Sequence, residues 1–217
     1  MAQTSCGPVG VVLAGGASER MGRDKALLRI GAGPTLLERT VATVRAAGLR
    51  EVVLSVSTVE RGRTLREAVP AVAGLRLLVD AEPGRGPLGA LHAALSAVPH
   101  HHVLLVACDM PRLHVAALRA VLEEPRDADA VVPRAAGRDQ PLAALYGPAC
   151  LPLTARLLEQ GRLALRDLLA APGLRVRFLD ETCLARAGVP AAAFDNVNTP
   201  ADLEALHVCD AIPPGNG

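Results

Sequence analysis

Three features of the chain predict an α/β fold. Short apolar runs rich in β-branched residues recur at Val11–Leu13, Val52–Val56, Leu75–Val79, Val103–Val106 and Ala130–Val132. Stretches of helical periodicity lie between them, at Leu36–Ala47, Thr64–Val69, Leu88–Ala97 and Val115–Leu122. The strand-like runs, VLLVA among them, are apolar almost throughout, as strands covered on both faces must be. Alternation of this kind implies a single Rossmann-like domain of three layers, with a mainly parallel, mixed sheet between two sets of helices. In such a sheet ligands bind beyond the carboxyl ends of the strands, so chemistry is expected in the loops that follow them.

The first strand, GVVLAG, stops in the glycine pair Gly15 and Gly16. The stretch LAGGASERMGRDK then supplies Ser18, Arg20, Gly22 and Lys25. Glycines let backbone N–H groups approach an anion without an intervening Cβ, and cationic side chains neutralise it, so the stretch reads as a nucleotide-phosphate grip. It is neither a Walker loop nor a G-x-G-x-x-G fingerprint, because Ala26 follows Lys25 and the glycine spacing differs. Strand-to-helix turns also carry glycines for steric reasons alone, and that reading stays open here. In the next helical stretch Leu36, Leu37, Val41 and Val44 are core positions.

The third strand-like run ends in Asp80, followed by Gly84, Gly86 and Gly89 before a helix. Asp80 suits an acceptor for a ribose hydroxyl or a base N–H, and equally a helix cap. The fourth ends at Asp109, just before Met110-Pro111. A strand-end carboxylate facing a phosphate loop is a good Mg²⁺ ligand, since magnesium pairs one or two carboxylates with substrate phosphates and retained waters. Arg134, Arg138 and Asp139 either reach a substrate phosphate or form a solvated loop. Near the end, FDNVNTPADL places Thr199 as a helix N-cap with Pro200 at the first helical position, leaving Asn196 and Asn198 to present their amides from the preceding segment.

Composition narrows the partners. With 217 residues, half of them hydrophobic, one domain is expected over 1–207, followed by a disordered tail at 208–217 that ends in DAIPPGNG. A net charge of +1 with scattered basic residues offers no footprint for nucleic acid or anionic lipid. No long apolar stretch or leader is visible, so a cytoplasmic protein without membrane contact is expected. The five cysteines are odd in number and lack a C-x-x-C pair, which points to reduced thiols, with Cys108 a buried packing group. His100, His101 and His102 are consecutive, so their side chains diverge rather than converge on a metal. No Cys–His or Ser–His–Asp arrangement is motif-like, which favours direct attack over a covalent intermediate. Aromatics are nearly absent, so stacking is a poor means of holding a base.

Taken in order, LAGGASERMGRDK, DAEPGRGPLG, ACDMP, PLAALY and NVNTPADL resemble the molybdenum cofactor guanylyltransferases, the bacterial MobA-type enzymes of the nucleotidyltransferase superfamily, from about Val11 to Leu206. The first loop by itself is shared with sugar nucleotidylyltransferases and with the cytidylyltransferase of the same cofactor; the combination is narrower. The resemblance implies a nucleotide-diphospho-sugar transferase-like fold and transfer of GMP from GTP to molybdopterin carrying molybdenum, with release of pyrophosphate. It also implies site residues. Leu13, Ala14, Gly15 and Gly16 form the base- and phosphate-contacting loop, Lys25 holds the triphosphate, Asp80 contacts GTP, and Asp109 contacts GTP and Mg²⁺. Arg20 and Gly22 match loop positions tied to activity, so that Arg20, Lys25 and Asp109 carry catalysis, while Asn196 and Asn198 match asparagines on the pterin side. Ser55 stands where the family often has a nucleotide-contacting asparagine. Cofactor-biosynthesis proteins and acceptor enzymes are the further partners implied. The alternatives are a cytidylyltransferase of the same cofactor, another nucleotidylyltransferase, or a silent nucleotide-binding partner in cofactor delivery. The cytidylyl branch tends to show LAAG, and a Cβ at Gly15 is expected to crowd a purine edge.

Overall fold

The apolar run Val103–Ala107 (β4) is buried at every residue and lies in the middle of the sheet. The computed structural model describes residues 7–15, 24–80, 84–197, 199 and 201–202. Val9–Leu13 (β1) pairs with β4 in parallel, Val9 opposite Val103 and Leu13 opposite Ala107. On its other side β1 takes Val52–Val56 (β2), and β2 takes Arg76–Val79 (β3), again in parallel. Beyond β4 the sheet becomes mixed. Ala143–Tyr146 (β7) runs antiparallel to β4 and to Ala130–Ala135 (β5), and Val176–Leu179 (β8) joins β5 in parallel. The short strand Arg138–Asp139 (β6) folds back on β5 through Ala136 and Gly137, both at positive φ as a tight hairpin turn requires.

Helices cover both faces, as the apolar strands require. Leu36–Ala46 (α1), Val59–Ala68 (α2) and Val115–Glu123 (α4) pack Leu37, Val41, Val44, Leu65, Leu118 and Val121 against Val12, Leu54, Leu104 and Val106. Gly86–Ala97 (α3), Cys150–Glu159 (α5) and Leu165–Leu169 (α6) pack Leu88, Leu91, Leu95, Leu157 and Leu168 against Val11, Val53 and Leu105. Glu181–Arg186 (α7) adds Leu184 to the first of these cores. The three-layer, mainly parallel expectation therefore holds for the described residues.

Element ends follow local chemistry. Helix α1 starts in a capping box: Thr35 Oγ1 accepts from Glu38 N–H at 3.1 Å, and Glu38 Oε2 accepts from Thr35 N–H at 2.7 Å. Helix α2 begins at Val59 rather than at Thr64, because Thr58 caps it by accepting from Arg61 N–H at 3.1 Å. Its first turn, VERG, carries too little apolar periodicity to show in the sequence. Residues 208–217, expected as a tail, lie outside the described residues.

Tyr146 closes β7 and is fully buried, its hydroxyl donating to the Pro141 carbonyl at 2.8 Å. Removing the hydroxyl leaves that carbonyl without its donor in an apolar setting. Tyr146→Phe is expected to lower unfolding free energy by about 1 kcal/mol, measured by urea denaturation followed through far-UV circular dichroism. An unchanged midpoint and slope would show that the bond contributes nothing net.

Candidate functional site

The strand order reverses at β1, which has β2 and β3 on one side and β4 on the other. Crevices for ligands form at such switch points, outside the carboxyl ends of the strands. Leu13 is in register with both Ser55 and Ala107, so the chain leaves three neighbouring strands at one level. Ala14 and Gly15 follow β1, Asp80 follows β3, and Cys108 and Asp109 follow β4. Ala14 N–H still donates to Ser55 O at 2.9 Å and Asp80 N–H to Val56 O at 3.0 Å, so the loops leave the sheet from a laced edge.

Two carboxylates at this edge are poorly solvated. Oδ1 of Asp80 and Oδ1 of Asp109 are buried without a hydrogen-bond partner among the described residues. Burial raises the affinity of both carboxyls for a proton; at Asp109 the charge of Lys25 and a backbone hydrogen bond pull the other way. Lys25 opens a 3-10 turn, Lys25–Leu27, that Asp24 caps by accepting from Ala26 N–H at 3.0 Å. The charge of the expected phosphate-binding cation thus acts on the expected metal carboxylate, although the two are far apart in sequence. Asp80 is not the cap of α3: that helix starts at Gly86 after Arg85, with Pro87 in its first turn and no side-chain cap. The capping alternative falls away.

Other expected residues are placed differently from one another. Ser55 is 2% exposed, which leaves its hydroxyl little surface for a ligand. Its neighbours in register are Leu13 and Leu78. A Cβ built on Gly15 meets Ser57 N at 3.2 Å and the Val56 backbone beyond it, so the residue is small because β1 leaves close against β2. Crowding of a purine edge, the sequence-based reason for this glycine, is not what that Cβ direction shows. Asn196 is exposed, and its neighbour Val197 is buried with Leu28, Ile30 and Leu36 while donating N–H to Asp109 O at 2.9 Å. The asparagine segment is therefore fastened to the residue expected to hold the metal. Thr199 and Asp202 cap one another, Asp202 N–H to Thr199 Oγ1 at 3.2 Å and Thr199 N–H to Asp202 Oδ2 at 2.8 Å, as the sequence implies. Gly16, Ser18, Arg20, Gly22, Asn198 and Pro200 lie outside the described residues.

Cys108 is buried, and its thiol is pushed up to about 12 by burial and the negative charges of Asp109 and Asp24, which leaves it unsuited as a nucleophile. Arg134 pairs with Asp139 at 2.7 Å and lies 4.3 Å from the Phe178 ring centroid, engaged by its own hairpin and β8. Sequence reasoning missed Arg61. From α2 its Nε–H donates to the Ala14 carbonyl, and its terminal nitrogens donate to both oxygens of Asp24 at 2.8 and 2.9 Å. No motif marks it, because its partners come from another part of the chain.

The raised affinity of Asp80 for a proton has a stability consequence. A carboxyl that binds its proton more tightly in the folded than in the unfolded state favours folding below its ordinary range, and that contribution is lost as pH rises through the folded value. At neutral pH the ionised Asp80 is a net cost in the ligand-free protein. Asp80→Asn is expected to raise the melting temperature at neutral pH, with the gain shrinking as the pH falls into the carboxylate range and the wild-type carboxyl takes up its proton. Differential scanning fluorimetry across this range checks it; a loss of stability at neutral pH would contradict the assignment.

Comparison with known proteins agrees with this geometry. The MobA-like NTP transferase domain family matches residues 10–176. A probable molybdenum cofactor guanylyltransferase of Pelotomaculum thermopropionicum is 37% identical over 194 residues, covering 89% of each chain. The crystal structure of molybdopterin-guanine dinucleotide biosynthesis protein A from Archaeoglobus fulgidus superposes with a TM-score of 0.78 over 94% of this chain and 99% of that one; at 23% identity the likeness is one of fold. Rv0371c from Mycobacterium tuberculosis, solved in complex with manganese, is 25% identical with a TM-score of 0.64 over 81% of this chain and 88% of its own.

Proposed function

The chain belongs to the MobA-like NTP transferase family, and from that premise we propose that it is a molybdenum cofactor guanylyltransferase. It is a nucleotidyltransferase that moves GMP from GTP to the molybdopterin-bound cofactor, forming the guanine dinucleotide and releasing pyrophosphate. The observation that carries the site assignment is the buried Oδ1 of Asp109 at the end of β4, level with the end of β1 and under the influence of the Lys25 charge.

In the proposed reaction the terminal phosphate of molybdopterin attacks the α-phosphorus of GTP. A P–O bond forms there while the bond to the bridging oxygen breaks, its electron pair leaving with pyrophosphate. A phosphate monoester has a second pKa of about 6 and is largely ionised at neutral pH, so no side chain need remove a proton. The work left to the chain is positioning and charge neutralisation. Backbone groups of Leu13, Ala14, Gly15 and Gly16 and the cations of Lys25 and Arg20 hold the triphosphate. Asp80 accepts from the ribose or the guanine, with Ser55 below it in the sheet. Gly22, Asn196 and Asn198 serve the pterin side, where Asn196 is exposed and its segment is tied to Asp109.

Oδ1 of Asp109, buried without a hydrogen-bond partner among the described residues, suits a divalent cation, to which the chain would offer one hard oxygen alongside phosphate oxygens and waters. Mg²⁺ is the proposed ion, and the similar mycobacterial structure, solved in complex with manganese, supports the use of a divalent cation. Bound there, it supplies positive charge against the triphosphate. Cofactor-biosynthesis proteins and acceptor molybdoenzymes are the proposed partners. Among the described residues no helix is long and apolar enough to cross a membrane, and a cytoplasmic location is proposed.

Pyrophosphate release with GTP, Mg²⁺ and molybdopterin tests this function. GTP is expected to exceed CTP by at least about tenfold in kcat/KM, because a site built to pair guanine leaves groups unsatisfied around cytosine. Asp109→Asn should fold and lower turnover by about a hundredfold or more. Preference for CTP would overturn the guanylyl assignment, and normal Mg²⁺-dependent turnover of the variant would remove Asp109 from the mechanism.

Lys25 is assigned to the β- and γ-phosphates, so Lys25→Ala should weaken GTP binding by more than it weakens GMP binding. Isothermal titration with each nucleotide reads the difference. Equal losses would place the ammonium elsewhere.

A further inference from the structure

Arg61 joins the two ends of the loop assigned to the triphosphate. Its Nε–H donates to the Ala14 carbonyl, just before that loop, and its terminal nitrogens grip Asp24, just after it, at 2.8 and 2.9 Å. The two side chains are only 18% and 21% exposed, so this is a sheltered ion pair rather than a surface one. A planar guanidinium satisfies both carboxylate oxygens and still has its Nε–H free for the carbonyl.

Each end passes this placement inward. Asp24 also caps the turn that begins at Lys25, through Ala26 N–H at 3.0 Å, so the carboxylate held by Arg61 sets the backbone from which Lys25 projects. At the other end the peptide between Ala14 and Gly15 is trans, so its carbonyl and the Gly15 N–H point in opposite directions. Holding the Ala14 carbonyl on the side of Arg61 therefore fixes the Gly15 N–H to point away from that side. The platform is rigid. Arg61 N–H is itself bound by Thr58 Oγ1 at 3.1 Å, and at Gly62 a Cβ would meet Leu77 Cδ1 at 2.5 Å, so α2 sits directly on β2 and β3.

We propose that Arg61 is a positioning residue for the triphosphate, holding the Gly15 N–H and Lys25 in one mutual arrangement through Ala14 and Asp24. It touches no reacting atom in this scheme. The proposal rests on the nucleotidyl-transfer function above and adds to it a residue outside the glycine loop, on α2. An ion pair that served the fold alone would also tie α2 to the loop, and the two roles differ in what they do to substrate affinity.

The test is steady-state kinetics and melting temperature for Arg61→Met, Arg61→Lys, Asp24→Asn and the double variant Asp24→Asn with Arg61→Met. Methionine keeps the aliphatic stem and removes the fork. In Arg61→Met the KM for the nucleoside triphosphate should rise about tenfold or more, while the KM for molybdopterin stays within about twofold of wild type. Arg61→Lys should recover melting temperature by pairing with Asp24 without recovering that KM, since an ammonium cannot reproduce the fork and the carbonyl contact together. The double variant should be little worse than Arg61→Met, as expected for residues acting as one unit. A lowered melting temperature with the triphosphate KM within about twofold of wild type, or fully additive losses in the double variant, would overturn the proposal. If Arg61→Met fails to fold, the same KM criterion applies to Arg61→Lys. The assays use whichever triphosphate the wild-type protein turns over, so an error in the guanylyl assignment appears in the wild type, and an error about Arg61 appears only in the variants.

Discussion

Parallel pairing of β1 with both β2 and β4 is the constraint on which the site depends. Leu13 stands in register with Ser55 on one side and Ala107 on the other, so three strands finish at the same height. Parallel neighbours cannot be joined by a tight turn, and each crossover must pass over a face of the sheet. Helices α1, α2 and α4 cover one face and α3, α5 and α6 the other. The strand ends, and the helices that begin just after them, are thereby gathered on one edge, which is why residues as distant as Gly15, Asp80 and Asp109 answer to a single ligand in the proposed function.

The double coverage that makes the sheet stable also makes its edge a poor place for charge. Asp80 and Asp109 each keep an oxygen that is buried without a partner among the described residues, and both hold their protons more tightly than an ordinary aspartate. Such groups are costly unless a cation or donor meets them. Lys25 offsets part of this at Asp109. In the proposed reaction the nucleotide and its divalent ion supply the rest, so ligand binding and fold stability are coupled by mass action. One environment has two consequences here, since the burial that raises Asp109 also pushes the adjacent Cys108 thiol up to about 12 and leaves it chemically quiet.

The acceptor side is tied into the same edge through backbone rather than charge. Val197 donates to Asp109 O and inserts its side chain among Leu28, Ile30 and Leu36, which lie just beyond the Lys25 turn. A buried apolar anchor one residue from an exposed asparagine gives Asn196 a defined place without a side-chain network of its own. The segment near the end of the chain, the residues after the glycine loop and the end of β4 therefore meet at Asp109.

Much of this was legible locally. Buried parallel strands must be apolar along their whole length, so VVL, VVLSV and VLLVA announce themselves, and a glycine pair or an aspartate directly after such a run marks a strand end facing a ligand. The Thr199–Asp202 cap was likewise readable, because its partners are close in sequence. Strand β8, with Arg177 exposed and Val176 and Phe178 half-buried, and the short helices α6 and α7 carried weaker patterns that periodicity alone does not assign. The first turn of α2 was hidden for the same reason.

By itself, then, the sequence determined the alternation of elements, the strand-end residues and a close family resemblance, since each rests on short-range backbone preference, burial pattern or motif order. Only the tertiary structure decided that Gly15 is small because β2 lies against it, that Ser55 is almost closed to solvent, and that Arg61 reaches Ala14 and Asp24. These are relations between segments with no fixed spacing along the chain. They come into being when the sheet order makes β2 the neighbour of β1 and brings Arg61 of α2 against Ala14 and Asp24, and no local propensity encodes that adjacency.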